Sequence, residues 1–223
     1  MQFKHEPIDV GYDDLIAVTS DSGRVYTDPQ NNTYPSITTV LSILSEDAIK
    51  AWRARVGVEE ANRISKTASS RGTAVHDLLE RYVNNESDFD KDVQPHIMQS
   101  FYDVKPILDK CLTKIYAQEV GLYSEQLGVA GRVDCVGQWD GVNSIIDYKT
   151  SKKLKKKEWI DGYFMQSTAY AIMWEERTGM PIKQIVVVIA VDNEDPQIFI
   201  EDRDNWTEEL VDTITEYKSR KNL

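Results

Sequence analysis

Residues 131–149 read Gly131-Arg132-Val133-Asp134-Cys135-Val136-Gly137-Gln138-Trp139-Asp140-Gly141-Val142-Asn143-Ser144-Ile145-Ile146-Asp147-Tyr148-Lys149. Two β-rich runs flank Asp140-Gly141, a dipeptide suited to the positive φ that both central residues of a type I′ turn require. A hairpin centred there pairs residues whose numbers sum to 281, which sets Asp134 opposite Asp147. Directly opposed β-carbons lie about 5 Å apart, and two carboxylates that close repel unless a proton or a cation compensates. A hard divalent cation such as Mg²⁺ does so through oxygen ligands and keeps waters of its own. Lys149, two residues beyond Asp147, falls on the same strand face. There it can stabilise developing charge or help orient and deprotonate an attacking water. A plain Asp147–Lys149 ion pair would explain those two residues, but it does not require the opposed Asp134.

Working outward, Asp21-Ser22-Gly23 supplies turn chemistry between the strand-like runs LIAVTS and RVYTD, an expected N-terminal hairpin within residues 1–33. Ser36 is placed to cap a short helix running to Leu44, and Ser45 to cap the next. Helices are expected at 46–56, 58–69, 72–84 and 95–112, with strands at Thr113–Ser124 and Gly131–Val136. The run Ile185–Val191 is short, continuous and β-branched, as in a strand buried on both faces. A turn, a strand at Gln197–Ile200 and a helix from Asn205 to Arg220 close the chain. The expectation is one domain over 1–223, with a motif-bearing core at 34–190 and a C-terminal strand and helix in 191–223. Its fold class is α/β, a central mixed β-sheet flanked by helices on both faces; 223 residues is below the ~250–300 at which cores divide.

Composition narrows the function. A net charge of −11 argues against broad adhesion to nucleic acid, so any such site must be local. One basic run, Lys152, Lys153, Lys155, Lys156 and Lys157, follows Lys149 directly and reads either as a solvated loop or as a phosphate contact. Cys111 and Cys135 are too few for a four-cysteine zinc or iron–sulfur site, so no iron–sulfur cluster is expected. No apolar run is long enough to span a membrane and no secretory signal is evident, which points to a cytoplasmic protein.

The order GRVD followed by IIDYKTSK resembles the PD-(D/E)XK nuclease superfamily, and specifically its RecB-like exonuclease branch. Arg71-Gly72-Thr73-Ala74-Val75-His76 is similar to that branch's RGT-x-x-H helix, and Gln166 with Tyr170 to its Q-x-x-x-Y helix. Ser36–Leu41 resembles an S-x-T-x-x-L segment of mitochondrial and phage exonucleases of the branch. The resemblance spans about residues 34–190 and implies a restriction-endonuclease-like fold.

It also implies roles. His76, Asp134, Asp147 and the Tyr148 carbonyl would hold Mg²⁺ or Mn²⁺, with Lys149 and Gln166 completing the catalytic set. Read from the residues alone, His76 is equally a structural histidine, and Gln166 and Tyr170 belong to a helical stripe with Trp159, Tyr163 and Trp174 that reads as core packing. Glu119 is a further metal ligand or a group supporting one, and Glu125 a loop acid. Ser36, Thr38, Arg71, Thr150, Ser151, Lys152 and Tyr170 are candidate substrate contacts. The implied activity is hydrolysis of DNA, single-stranded or at free ends, in phage-like replication, recombination or degradation. A structure-specific endonuclease and a non-catalytic nucleic-acid binder on the same fold are the alternatives.

Overall fold

The computed structural model describes residues 2–222. Nine strands and six helices follow in the order β1 (Lys4–His5), β2 (Ile16–Ser20), β3 (Gly23–Thr27), β4 (Thr33–Pro35), α1 (Ile37–Leu41), α2 (Glu46–Val56), α3 (Val58–Val83), α4 (Pro95–Cys111), β5 (Leu112–Ser124), β6 (Val129–Trp139), β7 (Val142–Ser151), α5 (Asp161–Thr178), β8 (Gln184–Val191), β9 (Gln197–Asp202) and α6 (Thr207–Lys221), counted among the described residues. The main sheet is mixed and runs β1-β5-β6-β7-β8-β9, and a small antiparallel sheet runs β2-β3-β4. The α/β class with helices on both faces is as expected.

The Asp140-Gly141 turn behaves as its chemistry requires, with φ of 50° and 80° at its two residues. The ladder above it pairs Trp139 with Val142 and continues in register to Cys135 with Ile146. On its other side β7 pairs in parallel with β8, which makes β7 an interior strand. Parallel pairing needs a long crossover, and α5 supplies it.

Alternation along β8 sorts the core into two layers. Ile185, Val187 and Ile189 pack with α1, α5 and α6, whereas Val186, Val188 and Ala190 pack with α3 and α4. The continuous apolar run is thus buried on both faces. No helix among the described residues is long and apolar enough to cross a membrane.

Two local features differ from expectation. The helices at 58–69 and 72–84 are one 26-residue helix, α3, with Gly72 in its interior. A single interior glycine costs only about 1 kcal/mol, less than the packing of Val75, Leu78, Leu79, Tyr82 and Val83 recovers. The N-terminal half of α3 buries Ala61 alone and α2 buries no residue. Ser45 precedes α2 without capping it, its hydroxyl donating instead to the Ser42 carbonyl. Of the two cysteines, Cys135 is buried and Cys111 only half-buried.

Candidate active site

The ladder between β6 and β7 stops at Cys135–Ile146, one step short of the aspartates. Asp134 takes over the interstrand bond itself: its Oδ2 accepts the Tyr148 backbone N–H at 2.8 Å. Alternation slips at the same point, since Val133 joins the core under α5 and Cys135 the core under α3 and α4. Asp134 therefore lies where the two strands part, able to face both layers.

On one side it meets α3. His76 Nδ1 lies 3.5 Å from Asp134 Oδ2, and the ring stands edge-on to Tyr148 at 6.2 Å. Glu119 of β5 completes a group in which one ligand atom from each of His76, Glu119 and Asp134 lies within 4.8 Å of the others. Glu119 reaches this position from a left-handed backbone, φ 47°, in mid-strand. Such a conformation is uncommon for a non-glycine residue and persists only where its surroundings impose it. At this bend the Arg132 guanidinium donates to the Glu119 carbonyl, and also to both oxygens of Asp14 at 2.7 and 2.5 Å.

On the other side is Asp147, 1% exposed and held under α5. Its Oδ2 lies 2.6 Å from Lys149 Nζ and its Oδ1 accepts from Gln166 Nε2 at 3.1 Å. Lys149 also donates to Gln166 Oε1 at 3.3 Å and sits 5.2 Å from the Tyr163 ring centroid. Tyr170 backs Gln166, accepting from Nε2 at 3.3 Å.

The electrostatics follow from these neighbours. Burial pushes the Asp147 carboxyl up to about 6, Lys149 opposing and Asp134 adding to the rise. Burial and the charge on Asp134 push Glu119 up to about 7. His76 is raised despite its burial, because the Asp134 carboxylate faces it. The ionised forms of Asp147 and Glu119 are thus undercompensated, whereas Asp134, though buried, is held below the usual carboxylate range by His76, Lys149 and the Tyr148 N–H. Three carboxylates and an imidazole make a donor set suited to a divalent cation. The imidazole nitrogen among the oxygens makes Mn²⁺ at least as fitting as Mg²⁺.

The other sequence candidates divide. Thr38 is exposed, Thr150 half-buried and Lys152 exposed, all with side chains open to a ligand in part. Ser36 is 2% exposed, and its hydroxyl is engaged as helix cap, accepting the Thr39 N–H. Ser151 is buried and spends its hydroxyl on the backbone of Lys153. Tyr170 is 3% exposed and supports Gln166 from within the core. Arg71 is engaged by Asp192 and Ser100 and lines a separate cleft with Lys66 and His96. Trp159 is not on α5 but in a 3₁₀ turn before it, Lys157–Trp159. Arg132 was not singled out as a site residue; its place beside Asp134 in GRVD was the available signal.

The chain belongs to the PD-(D/E)XK nuclease superfamily, whose family profile matches residues 94–221. Among curated proteins it is similar to human mitochondrial genome maintenance exonuclease 1, with 29% identity over 149 residues, 62% of this chain and 41% of the relative. The chain therefore corresponds to under half of that relative's length. Among solved structures it resembles a candidate exonuclease from Eubacterium rectale with a TM-score of 0.50 at 18% identity, over 67% of this chain and 65% of that one. That likeness concerns the fold.

Proposed function

We propose that this chain is a Mg²⁺- or Mn²⁺-dependent DNA exonuclease that hydrolyses phosphodiester bonds in single-stranded DNA or at DNA ends, in phage-like replication, recombination or degradation. The observation that carries the proposal is the convergence of His76, Glu119 and Asp134 on one point while Asp147 holds Lys149 beside it. His76, Asp134 and Asp147, with Glu119 and the Tyr148 carbonyl, would hold the ion. A bound divalent ion supplies Lewis acidity toward a phosphoryl oxygen and lowers the pKa of water.

The chain's own residues do the rest. Asp147 and Gln166 fix the Lys149 ammonium, so that it meets developing negative charge on the scissile phosphate without having to reorganise. Gln166 is itself fixed by Tyr170 from behind. Thr38, Thr150 and Lys152, whose side chains are at least in part exposed, would contact the DNA backbone. The name of the human relative supports an exonuclease in particular.

The experiment compares end-labelled linear DNA with covalently closed circles, single-stranded and duplex, in Mg²⁺, Mn²⁺ or EDTA. An exonuclease degrades only the linear forms, an endonuclease also opens the circles, and a binding protein cuts neither. Lys149→Ala and Asp134→Asn must each slow metal-dependent cleavage more than ~10-fold, about 1.4 kcal/mol of barrier, or the assigned roles are wrong.

A further inference from the structure

Trp159 is 63% exposed, at the rim of a groove of about 660 Å³ between α1 and the 3₁₀ turn that carries it. Large aromatic side chains are ordinarily buried, and Trp139 and Trp174 of this chain are fully so. Leu41, Leu44, Ile160 and Met165 give the groove apolar lining among polar and acidic residues, and Gln166 is one of its lining residues. The groove thus borders the candidate active site through Gln166, which touches Asp147 and Lys149. Leu44 across the groove is itself 50% exposed.

We propose that this groove is a base-stacking subsite that receives one DNA strand, with Trp159 as its platform. The inference rests on the nuclease proposal and specifies where the strand lies. Charge decides which part of the strand enters. Glu158, Asp161 and Glu209 line the groove and would repel phosphates from it. Lys152, Lys153 and Lys156 are exposed in the segment just before Trp159, and the Lys156 ammonium lies over one face of the indole, 5.1 Å from its centroid, which leaves the opposite face for a base. Bases therefore point in and phosphates out, along the lysines. Within a duplex the bases are paired and stacked on each other, and only the terminal pair exposes a face. Stacking on an aromatic face is tolerant of sequence, as a nuclease that degrades a strand requires.

The test titrates tryptophan emission in EDTA, so that no cleavage occurs, with oligothymidylate, with an abasic deoxyribose-phosphate strand of equal length and with a blunt hairpin duplex. Michaelis constants in Mn²⁺ on the same strands give a second measure. Oligothymidylate is expected to quench emission in the wild type, and the abasic strand is not. Trp159→Phe should abolish that quenching. Trp159→Ala should weaken oligothymidylate binding, or raise its Michaelis constant, roughly 5- to 100-fold, leaving the abasic strand within about twofold. Because Trp159 is exposed, its urea midpoint should not move. Equal losses for both strands, wild-type affinity in Trp159→Ala, or quenching that survives in Trp159→Phe would overturn the subsite. A wild type that cuts DNA while showing any of these refutes the subsite alone; one that neither binds nor cuts refutes the nuclease proposal with it.

Discussion

Gly131 opens the GRVD segment without being at a positive φ, so its lack of a side chain answers to space. A β-carbon there would stand 2.6 Å from Tyr170 Cε1, 3.1 Å from its hydroxyl and 3.2 Å from Ile37 Cγ2. Carbon atoms in contact prefer about 3.5–4.0 Å, so in Gly131→Ala the tyrosine ring must retreat by roughly 1 Å. Tyr170 is 3% exposed and Ile37 fully buried, which leaves the ring no free direction. Overpacking of this kind costs about 1–3 kcal/mol. Tyr170 also positions Gln166, which in turn touches both Asp147 and Lys149, so the displacement passes to the proposed catalytic lysine. A misplacement near 1 Å can cost on the order of 100-fold in rate.

Urea unfolding of Gly131→Ala, Tyr170→Ala and the double variant tests this as a thermodynamic cycle. Tyr170→Ala alone should cost about 3–5 kcal/mol as a large-to-small core change. With the ring gone, only Ile37 opposes the new methyl, and the alanine should cost less than about 1 kcal/mol. The coupling should therefore be roughly 1–2 kcal/mol in favour of the double variant. Additive costs, or a Gly131→Ala chain as stable and active as the wild type, would refute the steric account.

Glu119→Gly should produce effects of opposite sign: relief of the left-handed backbone stabilises the metal-free chain by roughly 1 kcal/mol in urea melts with EDTA, while calorimetric Mn²⁺ affinity falls. A loss of stability would contradict the strain assignment. Arg132→Ala should weaken Mn²⁺ binding about 10- to 100-fold by releasing the Glu119 carbonyl, although the arginine is no ligand; unchanged affinity would remove its positioning role. Asp28 is 4% exposed, and although burial raises its pKa, hydrogen bonds from the Asn32 side chain and backbone, Tyr34 and Gln30 lower it on balance. A carboxylate depressed in the folded state adds stability above its unfolded pKa, and that contribution disappears as pH falls through the lower folded value. Asp28→Asn should therefore flatten the stability profile below about pH 4, measured by thermal melts; an unchanged acid limb would show that Asp28 is not involved.

What was legible in the sequence was what local chemistry controls. Asp140-Gly141 has one favoured turn, and the turn sets the register of every pair down to Cys135–Ile146. The apolar run of β8 and the cap at Ser36 are equally local. The misreadings share a cause in contacts distant along the chain. Gly72 looked like a helix boundary because nothing nearby shows that the buried residues beyond it hold α3 together. Trp159 falls at helical spacing from Tyr163 and Gln166, yet α5 begins only at Asp161, leaving the indole in solvent. The Glu119 carbonyl at the bend is bonded by an arginine 13 residues away, and no propensity asks a glutamate for a positive φ.

That bend meets the point where β6 and β7 part, since Glu119 and Asp134 come together there. Had the ladder run on regularly, Asp134 and Asp147 would face the same layer, and His76, on α3 beneath the opposite one, would be out of reach. Ending the ladder at Cys135 lets Asp134 bond the Tyr148 N–H, which keeps the backbone donor satisfied at the break. Bending β5 at Glu119 brings a further carboxylate to the same gap. The charge repulsion concentrated there is a cost to the fold, and it is the repulsion that the proposed divalent ion would relieve. Glu119→Gly would remove both this repulsion and the left-handed strain while taking away a proposed ligand, which is why it should move stability and Mn²⁺ affinity in opposite directions.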